Sequence, residues 1–268
     1  MIDLDRFARV ELCHRPTPLE PMTRLSEHLG GPRLFVKRDD CTGLALGGNK
    51  TRKLEFLMAD ALAQGANTVI TVGGVQSNHC RQTAAAAARL GLKCELVLPH
   101  ISRYNSATYE SNGNLLLDRL FGATLHVIPG DGTDRAIAAP VIERVLQQVR
   151  ARGDLPYFIP PGGSSPIGAL GYVDAAFELA RQAQQRALRV DHVVVTTGST
   201  TTHAGLIVGF EGVRQSPELD CDPVVHGISV YQRREPALAT VRQKVRETAE
   251  LLGLDPAPLE ERVHVTDD

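Results

Sequence analysis

The chain contains no tryptophan, and aromatic residues make up only 4% of its 268 positions. That scarcity argues against a stacking platform for sugars or nucleobases, which rests on exposed rings. The net charge is −2, so there is no broad basic surface of the kind that binds nucleic acid. No apolar run is long enough to cross a membrane, and the charged, mixed stretch from Met1 to Val10 is unlike a secretory signal. Cysteines are few. Cys13, Cys41, Cys80, Cys94 and Cys221 are odd in number and scattered, and without a C-x-x-C pair they suggest neither a metal site nor a disulfide framework. A cytoplasmic protein with reduced thiols is expected. No G-K-[ST] phosphate loop and no dinucleotide G-x-G-x-x-G is present, which disfavours a nucleotide-binding α/β protein.

What is present is a regular alternation. Hydrophobic residues make up 43% of the chain, enough for a large core. Short apolar or β-branched runs at 33–38, 68–72, 94–98, 124–128, 157–159, 192–196, 224–229 and from 263 read as strands. Helical patterns fall between them, at about 54–64, 79–90, 114–121, 136–152, 167–183, from 204, and 237–252. Strand–helix alternation of this kind implies α/β architecture with parallel sheet. Ligands in such folds bind at the carboxyl ends of strands, where this chain places its glycine-rich turns.

Three of those turns carry candidate chemistry. In Gly47-Gly48-Asn49-Lys50-Thr51-Arg52-Lys53 two glycines allow a tight turn, and an apolar helical face (Leu54, Leu57, Met58, Ala61, Leu62) follows. Lys50 thus stands at a helix start, where the helix dipole and any burial both disfavour its protonated form. A neutral lysine can form a Schiff base with an aldehyde such as pyridoxal phosphate (PLP). Three basic residues in four positions also fit an exposed face or an anion site. The second turn is Ser77-Asn78-His79 at the head of a helix. Asn78 can both donate and accept toward a pyridine oxygen, and free amides there suit a carboxylate. Ser and Asn are equally ordinary helix caps. The third is Thr197-Gly198-Ser199-Thr200-Thr201-Thr202, where small hydroxyls and a helix start suit a phosphate, or again an ordinary capped loop. The three together fit PLP held by a lysine, a ring contact and a phosphate contact.

These segments resemble the D-cysteine desulfhydrase / 1-aminocyclopropane-1-carboxylate (ACC) deaminase family of tryptophan-synthase-β-like PLP enzymes. The likeness is carried by Asp39 to Gly43, Gly47 to Phe56, Gln76 to Ala85, Gly113 to Leu117, Ile159 to Gly163, Gly168 to Tyr172 and Thr202 to Gly205. It implies PLP fold type II: two three-layer open twisted sheets with the cofactor in the cleft between domains. Residues 1–54 and 160–268 would form the larger domain and 55–159 the smaller. Lys50 would be the Schiff-base lysine with Asn49 beside it, and Asn78 would contact the ring. Thr197, Gly198, Ser199, Thr200, Thr201 and Thr202 would form the phosphate site. Ser77, Asn78 and His79 would bind substrate, with Ser77 also a candidate for proton transfer.

The resemblance implies a homodimer acting on a small amino acid by α,β-elimination. D-cysteine would give pyruvate, sulfide and ammonia, and L-cysteate would give sulfite in place of sulfide. ACC ring opening is expected less, because that branch tends to have Gln where His79 stands. Two departures are visible. Thr200 and Thr201 occupy loop positions where D-cysteine desulfhydrases tend to have glycine. The family also continues past the position of Asp268, into elements that carry the group facing the pyridine nitrogen and a pocket tyrosine. A chain without them is expected to leave the larger sheet unfinished, and a non-catalytic protein that binds PLP or another phosphorylated metabolite is the alternative.

Overall fold

The computed structural model describes residues 2–100, 106–129 and 137–267. Gly130 and Ala136, expected at a strand end and a helix start, lie outside them, as does part of the loop expected after Pro99.

The element that organises the molecule is helix α2 (Lys50–Ala63). It follows a short antiparallel pair, β1 (Leu19–Pro21) and β2 (Phe35–Lys37), with helix α1 (Thr23–Leu29) between them. After α2 come β3 (Thr68–Val72), α3 (Asn78–Leu90), β4 (Lys93–Pro99), α4 (Gly113–Leu120), β5 (Thr124–Ile128), α5 (Ala138–Ala151) and β6 (Pro156–Ile159). These four strands make one parallel sheet in the order β5-β4-β3-β6. Then follow α6 (Pro166–Gln185), β7 (His192–Thr197), α7 (Thr201–Arg214), β8 (Val224–Ser229), α8 (Arg234–Leu252), α9 (Ala257–Glu261) and β9 (His264–Thr266). Their strands form a second parallel sheet, β7-β8-β9. The architecture is α/β, as the alternation implies.

Strands β3 and β4 are buried on both faces, which suits their apolar, β-branched runs. The β7–β9 sheet is different. Its residues Val193, Val195, Val225 and Val265 belong to the core that includes α6 to α8, whereas Val194 on the other face is 69% exposed.

Helix α2 corrects the sequence reading in one respect. A single apolar stripe was expected, but every residue from Thr51 to Ala59 is buried, and Leu62, on the expected stripe, is 40% exposed. The cause is its position between two cores. Phe56 packs with α6, α7 and α8, while Leu54, Leu57, Met58 and Ala61 pack with β3, β4 and α3. The alanines Ala84–Ala87 of α3 are buried, consistent with close packing against the backbone of neighbouring elements.

Candidate functional site

The lysine loop is clamped from several sides. Gly47 and Gly48 have φ of 75° and 134°, and a Cβ on Gly47 would lie 2.0 Å from the Asp40 carbonyl oxygen. These positions therefore require glycine. Thr42 Oγ1 donates to Gly48 O (2.9 Å) and accepts from Gly48 N (2.8 Å). Gln82 Oε1 accepts from Thr51 N (2.9 Å), and Arg81 Nη2 donates to Gly47 O (2.6 Å). Thr42 and helix α3 thus fix the loop that leads into Lys50, the first residue of α2. Its side chain opens on a cavity of about 580 Å³ and is partly exposed there. The surrounding protein nonetheless pushes its pKa down to about 8 by desolvating the ammonium.

Facing Lys50 across this cavity are Gly198, Ser199, Thr200 and Thr202 at the head of α7, together with Asn49. Gly162 closes the gap: a Cβ there would meet Ser199 Cβ at 2.7 Å and Lys50 Cε at 3.9 Å. The hydroxyl loop is more internally bonded than the sequence suggests. Ser199 O accepts from Thr200 Oγ1 (2.7 Å), Thr201 N (2.7 Å) and Ser164 Oγ (2.9 Å). Thr201 Oγ1 contacts Ser164 Oγ at 2.5 Å, and Thr197 Oγ1 contacts His203 Nδ1 at 3.2 Å. Of the expected phosphate set, Gly198, Ser199, Thr200 and Thr202 line the cavity, whereas Thr197 and Thr201 are buried with their hydroxyls engaged by other side chains.

Ser77, Asn78 and His79 lie at the head of α3 and do not line that cavity. The link between the two loops is Asn78 Nδ2, which donates to Asn49 Oδ1 (3.3 Å). Ser77 is the N-cap of α3, its Oγ accepting from Cys80 N (3.2 Å), as its alternative reading allowed. His79 is buried, with Nε2 at 2.9 Å from Thr71 Oγ1.

Lys53 is the residue the sequence reading passed over. It is fully buried, with Nζ 3.3 Å from Gly162 O and 3.4 Å from Ser199 Oγ, and no carboxylate among the described residues pairs with it. Burial, and then the charge of Lys50, push its pKa well below the usual lysine range. Its signal was available in the i, i+3 spacing from Lys50, which places both amines on one side of the helix. Arg52, equally buried, is instead held by Asp39 (2.8 Å) and Glu178 (2.8 Å).

Comparison with known proteins gives matches over nearly the whole chain. Residues 10–268 match the family described as "Pyridoxal-phosphate dependent enzyme". The chain is 44% identical over 256 residues to a 1-aminocyclopropane-1-carboxylate deaminase of Burkholderia cenocepacia, covering 94% of this chain and 73% of that one. It is 45% identical over 251 residues to a D-cysteine desulfhydrase of Klebsiella pneumoniae, covering 93% and 73%. Among solved structures, one described as an ACC deaminase homologue superposes with a TM-score of 0.85 at 39% identity, covering 98% of this chain and 74% of the other.

Proposed function

Because the chain belongs to the family of pyridoxal-phosphate-dependent enzymes, we propose that it catalyses α,β-elimination of a β-substituted alanine. D-cysteine and water would give pyruvate, sulfide and ammonia. The observation that carries this reading is the approach of two amines to one hydroxyl loop: Lys50, which opens on the cavity and is lowered to about 8, and buried Lys53, 3.4 Å from Ser199 Oγ and without a carboxylate partner among the described residues.

The residues fit the cofactor on that ground. An amine partly neutral near pH 8 can condense with an aldehyde, and a buried base without a counter-charge fits a phosphate. Lys53, Ser199, Thr200, Thr202 and the first amides of α7 hold the phosphate in this reading. Asn78, bonded to Asn49 beside the lysine, would contact the ring oxygen. When bound, the cofactor supplies a ring that delocalises the electron pair left at the substrate Cα. The Lys50 amine takes and holds the Cα proton, which its lowered basicity permits. The free amides at the head of α3, with Ser77 and Asn78, take the substrate carboxylate. In this reading residues 1–54 and 160–268 form a larger domain and 55–159 a smaller one, supported by the β5-β4-β3-β6 sheet falling within the second range and the β7-β8-β9 sheet within the first.

The test is pyruvate release from D-cysteine, L-cysteate and ACC, with sulfide and sulfite assayed in parallel. Sulfide from D-cysteine is expected, and Lys50→Ala should abolish it. Borohydride reduction of the PLP-loaded protein should leave a peptide adduct on Lys50. Pyruvate formation by Lys50→Ala at the wild-type rate would overturn the reading. Sulfite from L-cysteate with no sulfide from D-cysteine would reassign the substrate.

A further inference from the structure

Thr71 sits on β3 beneath the head of α3, with its partner strand β6 alongside. Its hydroxyl oxygen lies 2.7 Å from the carbonyl oxygen of Ile159 and 2.9 Å from His79 Nε2. A carbonyl can only accept, so the single hydroxyl hydrogen is directed to Ile159. Toward His79 the Thr71 oxygen then has only lone pairs to offer, and Nε2 must carry the hydrogen of that contact. The state of the other nitrogen follows from its surroundings. His79 is 3% exposed, and Nδ1 has no hydrogen-bond partner among the described residues. Burial, then Lys50, then Lys53 all disfavour a second proton on the ring. Nδ1 is therefore a bare, buried acceptor on a ring that feels the charge of both amines.

We propose that Thr71 is a positioning residue that fixes His79 as its Nε2–H tautomer, leaving Nδ1 to accept a hydrogen bond from a protonated group of the bound amino acid. The inference rests on the elimination reading for its ligand but not for its geometry. The imidazole has no hydrogen to give a carboxylate, because its one N–H is already used. The group it suits is a donor (the ammonium or the β-thiol of a cysteine-like substrate). The substrate carboxylate is left to the amides of α3, Ser77 and Asn78.

The tautomer can be read without turnover. Nitrogen NMR of the full chain labelled with ¹⁵N-histidine distinguishes protonated from bare ring nitrogens, and His79→Gln identifies the resonance among the nine histidines. At neutral pH, wild type and Thr71→Ser should show protonated Nε2 and bare Nδ1. Thr71→Val, which keeps the shape but loses the acceptor, should show a shift toward the Nδ1–H form. Addition of PLP and D-cysteine should move Nδ1 toward the hydrogen-bonded position. In kinetics, Thr71→Val should raise KM for D-cysteine about three- to tenfold, the worth of one neutral hydrogen bond. Thr71→Ser should restore it. A doubly protonated ring, an Nδ1–H ring in wild type, an unchanged spectrum in Thr71→Val, or an Nδ1 unmoved by D-cysteine would each overturn the inference. Failure of pyruvate release with the Nε2–H tautomer intact counts against the elimination reading alone.

Discussion

Arg52 and Lys53 are consecutive on α2, and both are fully removed from water, yet the fold treats them in opposite ways. The Arg52 guanidinium fans onto Asp39, Glu178 and Thr17, and Asp39 is steadied further by Tyr172 (2.8 Å). Glu178 also pairs with Lys37. Lys53 has one carbonyl and one hydroxyl at the limit of hydrogen bonding and the Tyr172 ring 5.9 Å away, with no counter-charge among the described residues. A buried charge is tolerated when it is paired and fully hydrogen-bonded. Arg52 meets that condition within the chain, whereas Lys53 meets it only when a ligand supplies the anion. One residue therefore belongs to the stability of the fold and its neighbour to the site.

Substitution can break this contrast. Arg52→Met would leave Asp39 and Glu178 without their shared cation, and its expected cost is about 3–5 kcal/mol. Urea unfolding of the cofactor-free protein reads it as a lowered midpoint. Lys53→Met should leave the same midpoint unchanged or raise it, because it removes an amine that the fold does not compensate. It should instead weaken PLP binding by about tenfold or more, the worth of a hydrogen bond to a charged group. Equal destabilisation by the two substitutions would mean that Lys53 has a structural partner after all.

A weaker effect distinguishes Lys50 from an ordinary surface lysine. Its pKa falls from 10.5 in the unfolded chain to about 8 in the fold. Between those values the unfolded state binds the extra proton, so stability rises as pH rises through the window. Below about pH 8 the penalty for burying the ammonium is present in full. The side chain opens on the cavity, so solvent screens part of this penalty. Acetylation of Lys50, followed by mass spectrometry across pH, should be half-maximal near 8. A midpoint near 10 would remove the basis for treating this amine as reactive.

The parts of the fold legible in the sequence are those governed by local pattern. β3, β5 and β8 run where the apolar, β-branched stretches placed them, and Lys50 begins its helix where the paired glycines implied. The parts that were not legible depend on distant chain. β1 and α1 are short and mostly exposed, and the register of β1 against β2 comes from pairing, not periodicity. Burial all round α2 could not be read from a 3.6-residue period, because the pattern records one apolar face and not the presence of two cores. For the same reason Arg52 and Lys53 resemble a solvated basic cluster in sequence. Only the fold separates the one beside Asp39 and Glu178 from the one beside Ser199. At the head of α3, the residue types suggested a substrate contact at His79. Its tautomer depends on Thr71 and Ile159, which lie on two strands separated by most of the inner sheet's sequence.

The smallest expected effect concerns Thr200, whose backbone adopts a conformation usual for glycine. Thr200 adopts φ 63° and ψ −32°, and Thr201 N donates across it to Ser199 O at 2.7 Å. This resembles the rare γ-turn, in a region that β-branched side chains seldom enter. Among the described residues Ala45 and Leu46, just before the lysine loop, also have positive φ without being glycine. Strain at Thr200 is worth about 1–3 kcal/mol, and glycine would relieve it while adding about 0.4–1 kcal/mol of freedom to the unfolded chain. Thr200→Gly should therefore stabilise the cofactor-free protein by about 1 kcal/mol, seen as a small rise in Tm. Thr200→Gly keeps the loop's amides and loses one hydroxyl, so it should weaken PLP binding less than Lys53→Met, which removes a charge. A loss of stability in Thr200→Gly would mean that its hydroxyl bond to Ser199 O outweighs the backbone strain.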